Sequence, residues 1–271
     1  MTPDPDVMAA LGALGDVEDS NLPLAETAVL LAAAIRPEIE PSAYHRHIRT
    51  LATEVGAYAG QWAGENLERR AESLVQVLAR RYGYTAATHE ASADVALTID
   101  RRSGPAVALA ILYVDAARAQ GWTATAVDFP ARTLVRLEAG AARLLLDPTT
   151  GKTVAAPALR ELVRTTRGDD RALMPTDFAA LSARDILMTL TRARQIELDE
   201  NERAKLVLLE SLTLIAPAVA QPWREWGLLA LALGDLKTAV RALERWLGID
   251  RDSPERPRTW VLVRELNERL A

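Results

Sequence analysis

Apolar and polar positions alternate in blocks along the first half of the chain. The run PLAETAVLLAAAIR, Pro23 to Arg36, is almost unbroken apolar and predicts a helix, with proline at its start, where a missing N–H costs little. In EPSAYHRHIRTLATEVGAYAG, residues Tyr44, Ile48, Leu51 and Val55 recur at intervals of three and four. That spacing predicts an amphipathic helix with Ser42 as N-cap after Pro41. NLERRAESLVQVLARRYGY predicts a third helix, with Leu67, Leu74, Val77 and Leu78 on one face and Gly83 closing it. HEASADVALTIDRRSG reads as a loop with one short helix. From Ser103 a Gly-Pro turn leads into a long apolar helix ending near Gln120.

The rhythm then changes. TATAVDF, TLVRLEA and ARLLLDPTTG are short, rich in β-branched or aliphatic residues, and bounded by turn residues. Two-residue periodicity predicts three antiparallel strands. Beyond Val154 the pattern is helical again, with helices expected at 158–165, 182–198 and 201–214. Residues 1–20 mix Asp, Pro and Gly and are expected to be a flexible tail with one short helix at 7–14.

The 271 residues allow one large domain or two modest ones. Hydrophobic residues make up 49% and charged residues 25%, as in ordinary globular proteins. The net charge of -5, with no basic block, argues against nucleic acid or an anionic membrane as partner. The absence of cysteine removes disulfides, thiolate metal sites and thiol nucleophiles together. With an acidic start and no apolar run of about 18 residues, a cytoplasmic protein is expected.

The C-terminal segment has a frame of its own. Trp223-x-x-Trp226-Gly227-x-x-Ala230 is followed by Gly234-Asp235, by Ala239-x-x-x-Leu243 and by Pro254. This resembles the tetratricopeptide repeat, in which small residues let two helices pack closely. A partial repeat, AKLVLLESLTLIAPAV, precedes it, and a capping helix is expected at 259–270. Because about three repeats are needed for a continuous core, the segment should pack against the rest of the chain. Trp223, Trp226, Trp246 and Trp260 read as repeat core.

RRSGPAVAL, a glycine fifteen residues after Ala106, PARTLVRL and DPTTG occur in an order that resembles the transglutaminase-like superfamily. With the repeat segment, they resemble its bacterial SirB-type members over most of the chain. The resemblance implies an α+β, mostly helical fold. A degenerate, papain-like core with a small antiparallel sheet would span 21–155, a helical linker 156–200, and tetratricopeptide-like helices 201–271. It also puts Ala106 where the family has its cysteine, Arg132 at the histidine and Asp147 at the aspartate.

That site lacks its chemistry. A papain-like site needs a thiolate and an imidazole to activate it. Ala106 offers no nucleophile, and a guanidinium stays protonated at neutral pH. Only Asp147 remains, and the SirB-type proteins often lack the cysteine. Ser103 is an imaginable substitute nucleophile but reads better as an N-cap. On the implied fold Arg101, Arg102 and Arg132 gather with Gly104 at the start of the Ala106 helix, where a peptide carboxylate or small anion could dock. Alternatively, Arg132 is neutralised by Asp147, or Asp147 simply stabilises its turn. His45 and His47 read as solvated groups, His89 as an isolated loop residue, and RGDD at 167–170 as chance. No cofactor or metal is expected. The chemistry points to a non-catalytic interaction or regulatory module whose partner is a protein or peptide. The alternatives are a hydrolase using Ser103 or Asp147 and a small-anion binder.

Overall fold

The computed structural model of the chain describes residues 3–60, 64, 66–87, 92–130, 132–167 and 174–271. They divide into two units, one formed by 18–32 and 38–197 and the other by 1–17, 33–37 and 198–271. The chain opens with α1 (Pro5–Ala13), which belongs to the second unit.

The larger unit begins with a 3-10 turn, Asp19–Asn21, and α2 (Leu24–Ile35), which is mostly apolar and almost wholly buried and whose last three residues fall in the other unit. In α3 (Pro41–Ala59) the predicted face holds: Ile48, Leu51, Val55 and Ala59 are buried. Pro41 is itself the first helical residue, so Ser42 does not cap the helix. Asn66 caps α4 (Leu67–Leu74) by accepting from the Arg69 amide at 2.8 Å. The helix continues into a π-helical stretch, Val75–Arg81, where the Tyr82 amide donates to the Val77 carbonyl at 3.0 Å. Gly83, at φ +77°, then stops it, as a residue without a Cβ can.

The predicted loop at 89–104 contains its short helix, α5 (Val95–Arg101), capped by Asp94, and one of two strands that the sequence did not announce, the other lying just before the loop. β1 (Thr85–Ala86) and β2 (Ser103–Gly104) pair in parallel, Thr85 opposite Ser103. Next comes α6 (Ala106–Arg118), which buries ten of its residues, Val107 to Val114 and Ala116 and Ala117. Its N-cap is Pro105, so Ser103 is a strand residue and not the cap. β3 (Thr123–Phe129), β4 (Arg132–Ala139), β5 (Ala142–Asp147) and β6 (Lys152–Thr153) make an antiparallel meander, one short strand more than expected. α7 (Ala156–Arg167), a 3-10 turn at Pro175–Phe178 and α8 (Ala183–Glu197) complete the unit. Thus the stretch 156–200, read above as a linker, lies in this unit as far as Glu197.

Pairing register sorts the sheet residues by face. Val127, Phe129, Leu134 and Leu145 share one face and cluster with Leu159 and Val163 of α7. The alternate residues, Ala124, Ala126, Val135, Leu137 and Leu146, are also buried, and their small apolar face is left to α6, which packs on β3 and β4.

The second unit contains α9 (Glu202–Ile215), α10 (Ala220–Ala232), α11 (Leu236–Ile249) and α12 (Arg256–Leu270). Asn201 and Asp235 cap α9 and α11. Ala230, Ala239, Leu243, Trp246, Val263 and Leu266 form its core. Gly227 lets α10 and α11 approach closely, since a Cβ there would stand 2.7 Å from Leu243 Cγ. α1 packs on α9, with Val7 and Leu11 buried and Met8 Sδ accepting from the Ser211 hydroxyl. The expected tail is thus, in residues 5–13, a docked helix. Trp226 and Trp246 are core residues as expected, but Trp260 is 56% exposed and faces Arg264.

Candidate functional site

Arg132 opens β4 and Asp147 closes β5. By register Asp147 stands opposite Leu134, two residues from Arg132, so both side chains leave the sheet on one face. Arg132 Nη1 donates to Asp147 Oδ2 at 2.7 Å. The other carboxylate oxygen, Oδ1, accepts from the Thr149 amide at 2.9 Å and its hydroxyl at 2.5 Å. Asp147 therefore fills both roles considered for it, holding the DPTTG turn with one oxygen and the guanidinium with the other. Burial pushes the Asp147 carboxyl up, but Thr149 and Arg132 outweigh it and hold the group below its usual range. Beside the pair, Asp128, Phe129, Thr133, Thr176 and Asp177 line a shallow cleft with Arg132.

By strand parity this is the face that Val127, Phe129 and Leu134 share. Tyr113 of α6 still feels Asp147: its hydroxyl is buried without a hydrogen-bond partner among the described residues, and burial first, then the Asp147 charge, push it up. Ala106 presents only a methyl group at the first position of α6. Gly104 is buried against Thr98, whose Oγ1 would lie 2.4 Å from an added Cβ. The three cations of the expected gathering differ in their surroundings. Arg101 is exposed, Arg132 is paired with Asp147, and Arg102 turns to a different set of residues.

That set is a cluster that the sequence reading missed. Arg102, the left-handed cap of α5 at φ 56°, directs Nη1 to His47 Nε2 at 2.6 Å and to the Tyr84 hydroxyl at 2.5 Å. His47 Nε2 and the Tyr84 hydroxyl lie 2.9 Å apart. The Arg102 guanidinium stands over the rings of Tyr82 and Tyr84, and Tyr82 donates to Glu54 at 2.8 Å. A guanidinium only donates, so His47 Nε2 accepts and the ring is neutral, with its proton on Nδ1. Its lone pair is occupied and cannot serve as a general base for Ser103, which follows Arg102. Burial first, then Arg102, push His47 below its ordinary value, with Glu54 opposing. Burial also pushes Tyr84 up to about 12 against the pull of Arg102. His47 is thus built into the fold rather than solvated, and the signals that could have found it, Tyr82 and Tyr84 flanking Gly83 and an arginine before Ser-Gly-Pro, lie far away in sequence.

A pH dependence follows. Because the folded state disfavours the protonated His47 ring, the unfolded chain binds more protons below about pH 6.5. The stability this group contributes is complete above that value and is lost as pH falls through the lowered folded value. His47→Gln keeps an acceptor without titrating. Chemical denaturation between pH 7.5 and pH 5 should show a steeper loss for the parent chain than for His47→Gln; parallel curves would contradict this.

His45 Nδ1 lies 4.0 Å from Glu26, which also holds Arg49. His89 and most of RGDD lie outside the described residues. Among the described residues no group of three His, Asp or Glu side chains is placed to hold a metal ion, and no helix is long and apolar enough to cross a membrane.

Comparison with known proteins agrees with this architecture. The profile described as transglutaminase-like superfamily matches residues 42–192, from α3 to the last turns of α8. A UPF0162 protein of Xylella fastidiosa (strain Temecula1) is 28% identical over 254 residues, covering 86% of each chain. A UPF0162 protein of Pseudomonas aeruginosa is 29% identical over 173 residues, covering 62% of each.

Proposed function

Since the chain belongs to the transglutaminase-like superfamily, we propose that it is a non-catalytic member of SirB type, acting as a protein-interaction or regulatory module. The observation that carries this reading is the Arg132–Asp147 pair. The positions matched to the family's base and its orienting acid are joined to each other at 2.7 Å, and the position matched to the nucleophile is Ala106. A guanidinium cannot accept a proton at neutral pH, and both carboxylate oxygens of Asp147 are engaged, by Arg132 and by Thr149. The His47 ring, engaged by Arg102, offers no replacement base. The second unit gives the reading its positive side. Its α10–α11 pair, closed over Gly227, suits a tetratricopeptide-like hairpin, an architecture that offers surface rather than chemistry.

Amine incorporation into casein, peptide hydrolysis and ester hydrolysis test it. The purified full chain should give rates equal to buffer in all three assays. Turnover that disappears in Ser103→Ala or Asp147→Asn would overturn the proposal and favour a hydrolase with a different site.

A further inference from the structure

In the larger unit β5 has a free outer edge at one position, and a hollow of about 580 Å³ opens beside it. The Val154 N–H donates to the Leu145 carbonyl at 2.8 Å and the Gly151 N–H to the Asp147 carbonyl at 2.9 Å. Leu145 and Asp147 therefore turn their backbone groups away from β4, and by alternation so does Arg143. At Arg143, however, β6 has already ended, at Thr153, and the chain has turned into α7 at Ala156. Among the described residues nothing pairs with the Arg143 N–H and C=O on that edge. Unpaired edge groups of this kind are a template for a further strand.

The two sides of the hollow carry opposite charge. By parity Arg143 and Leu145 project from one face, on which Leu145, Val154 and Phe178 form an apolar floor. On the same face Arg136, 14% exposed, lies 2.6 Å from Glu138 Oε1, and Arg143 Nε lies 3.8 Å from that oxygen. Arg136 also donates to the Phe178 carbonyl at 2.8 Å, which fixes it. Two guanidiniums thus share one carboxylate, and Arg143, 68% exposed, carries the uncompensated charge. Glu68 comes from α4, which packs with α6, β4 and β5, and so reaches the hollow from the opposite face.

We propose that an extended peptide segment binds here antiparallel to β5, with a glutamate or aspartate opposite Arg143 and a lysine or arginine next to that acid. The acidic residue exchanges two backbone hydrogen bonds with Arg143, and its carboxylate meets the Arg143 guanidinium on one face. Its basic neighbour points to the other face, toward Glu68. A second copy of β5 does not meet these terms, because antiparallel self-pairing would set Arg143 opposite Arg143. The hollow lies outside the Arg132–Asp147 site. The proposal extends the interaction reading, but its titration is separate from the activity assays, so either can fail without the other.

The full chain is titrated by calorimetry with acetyl-Thr-Val-Glu-Lys-Thr-amide, which should saturate with a Kd below about 1 mM at low salt. Methylating the glutamate nitrogen of the peptide removes its donor to the Arg143 carbonyl and should weaken binding about tenfold or more. Arg143→Gln should weaken the parent peptide about fivefold, and Arg258→Gln, on α12, should leave it unchanged. Arg143 is exposed, so its variant should unfold at the parent temperature. Hydrogen exchange of the Arg143 amide should slow when the peptide is bound. Absence of saturation, equal affinity for the methylated peptide, undiminished affinity in the folded Arg143→Gln chain, or unchanged exchange at Arg143 overturns the proposal.

Discussion

Arg132→Ala and Asp147→Ala should each destabilise the protein, and the double variant should lose much less than the two losses added. The side chains differ in burial: Asp147 is 6% exposed and Arg132 34%. A fully buried pair broken on one side costs about 3–5 kcal/mol, and an exposed pair contributes about 0–1 kcal/mol. This pair lies between, so each single loss should be about 2 kcal/mol, with the Asp147 variant the worse because it also releases two Thr149 bonds. A coupling of about 1–2 kcal/mol is expected from the double-mutant cycle in urea. Strict additivity would mean that the two groups do not stabilise one another, and Arg132 would be free to hold a ligand's carboxylate.

Gly104→Ala should be the most damaging one-methyl change in the larger unit. The added carbon would meet Thr98 at three atoms, Oγ1 at 2.4 Å, Cγ2 at 2.8 Å and Cβ at 3.1 Å. Thr98 cannot swing away, being fully buried with its hydroxyl donating to the Asp94 carbonyl at 3.0 Å. Overpacking of this kind costs about 1–3 kcal/mol, and the upper end is expected because Gly104 ends β2 two residues before α6 begins. Thr98→Ala deletes the two nearer atoms. The pair Gly104→Ala with Thr98→Ala should therefore be more stable than Gly104→Ala alone, as read by thermal unfolding. A Gly104→Ala chain with parental stability would show that the backbone can yield here.

How much of this could be read beforehand depended on sequence distance. Ile48, Leu51 and Val55 announce the buried face of α3 because helical period is a local property. TATAVDF and TLVRLEA announce β3 and β4 in the same way. The Arg132–Asp147 bond was legible because strand parity carries a side chain's direction across a short hairpin. What packs on that face depends on α6 and α7, and their placement is tertiary. The His47 cluster was not legible. His47 and Tyr84 are 37 positions apart and His47 and Arg102 are 55 apart, and only the fold brings them together. Two-residue strands such as β1 and β2 are too short for any alternation to show. Trp226 was legible as core from its spacing, but spacing does not tell that the Arg241 guanidinium stands 5.0 Å from its ring centroid.

The π-helical stretch Val75–Arg81 gives this part of the chain a residue it can lose. A π turn accommodates about one residue more than an α turn in nearly the same rise. Deleting a single residue there would let the segment relax to α pitch, with the residues beyond it nearly in place and Tyr82 and Tyr84 still beside the guanidinium of Arg102. A second deletion has no such slack: it would turn everything beyond it by about 100° and take both rings from that guanidinium. The stretch should therefore tolerate one change of length and no more.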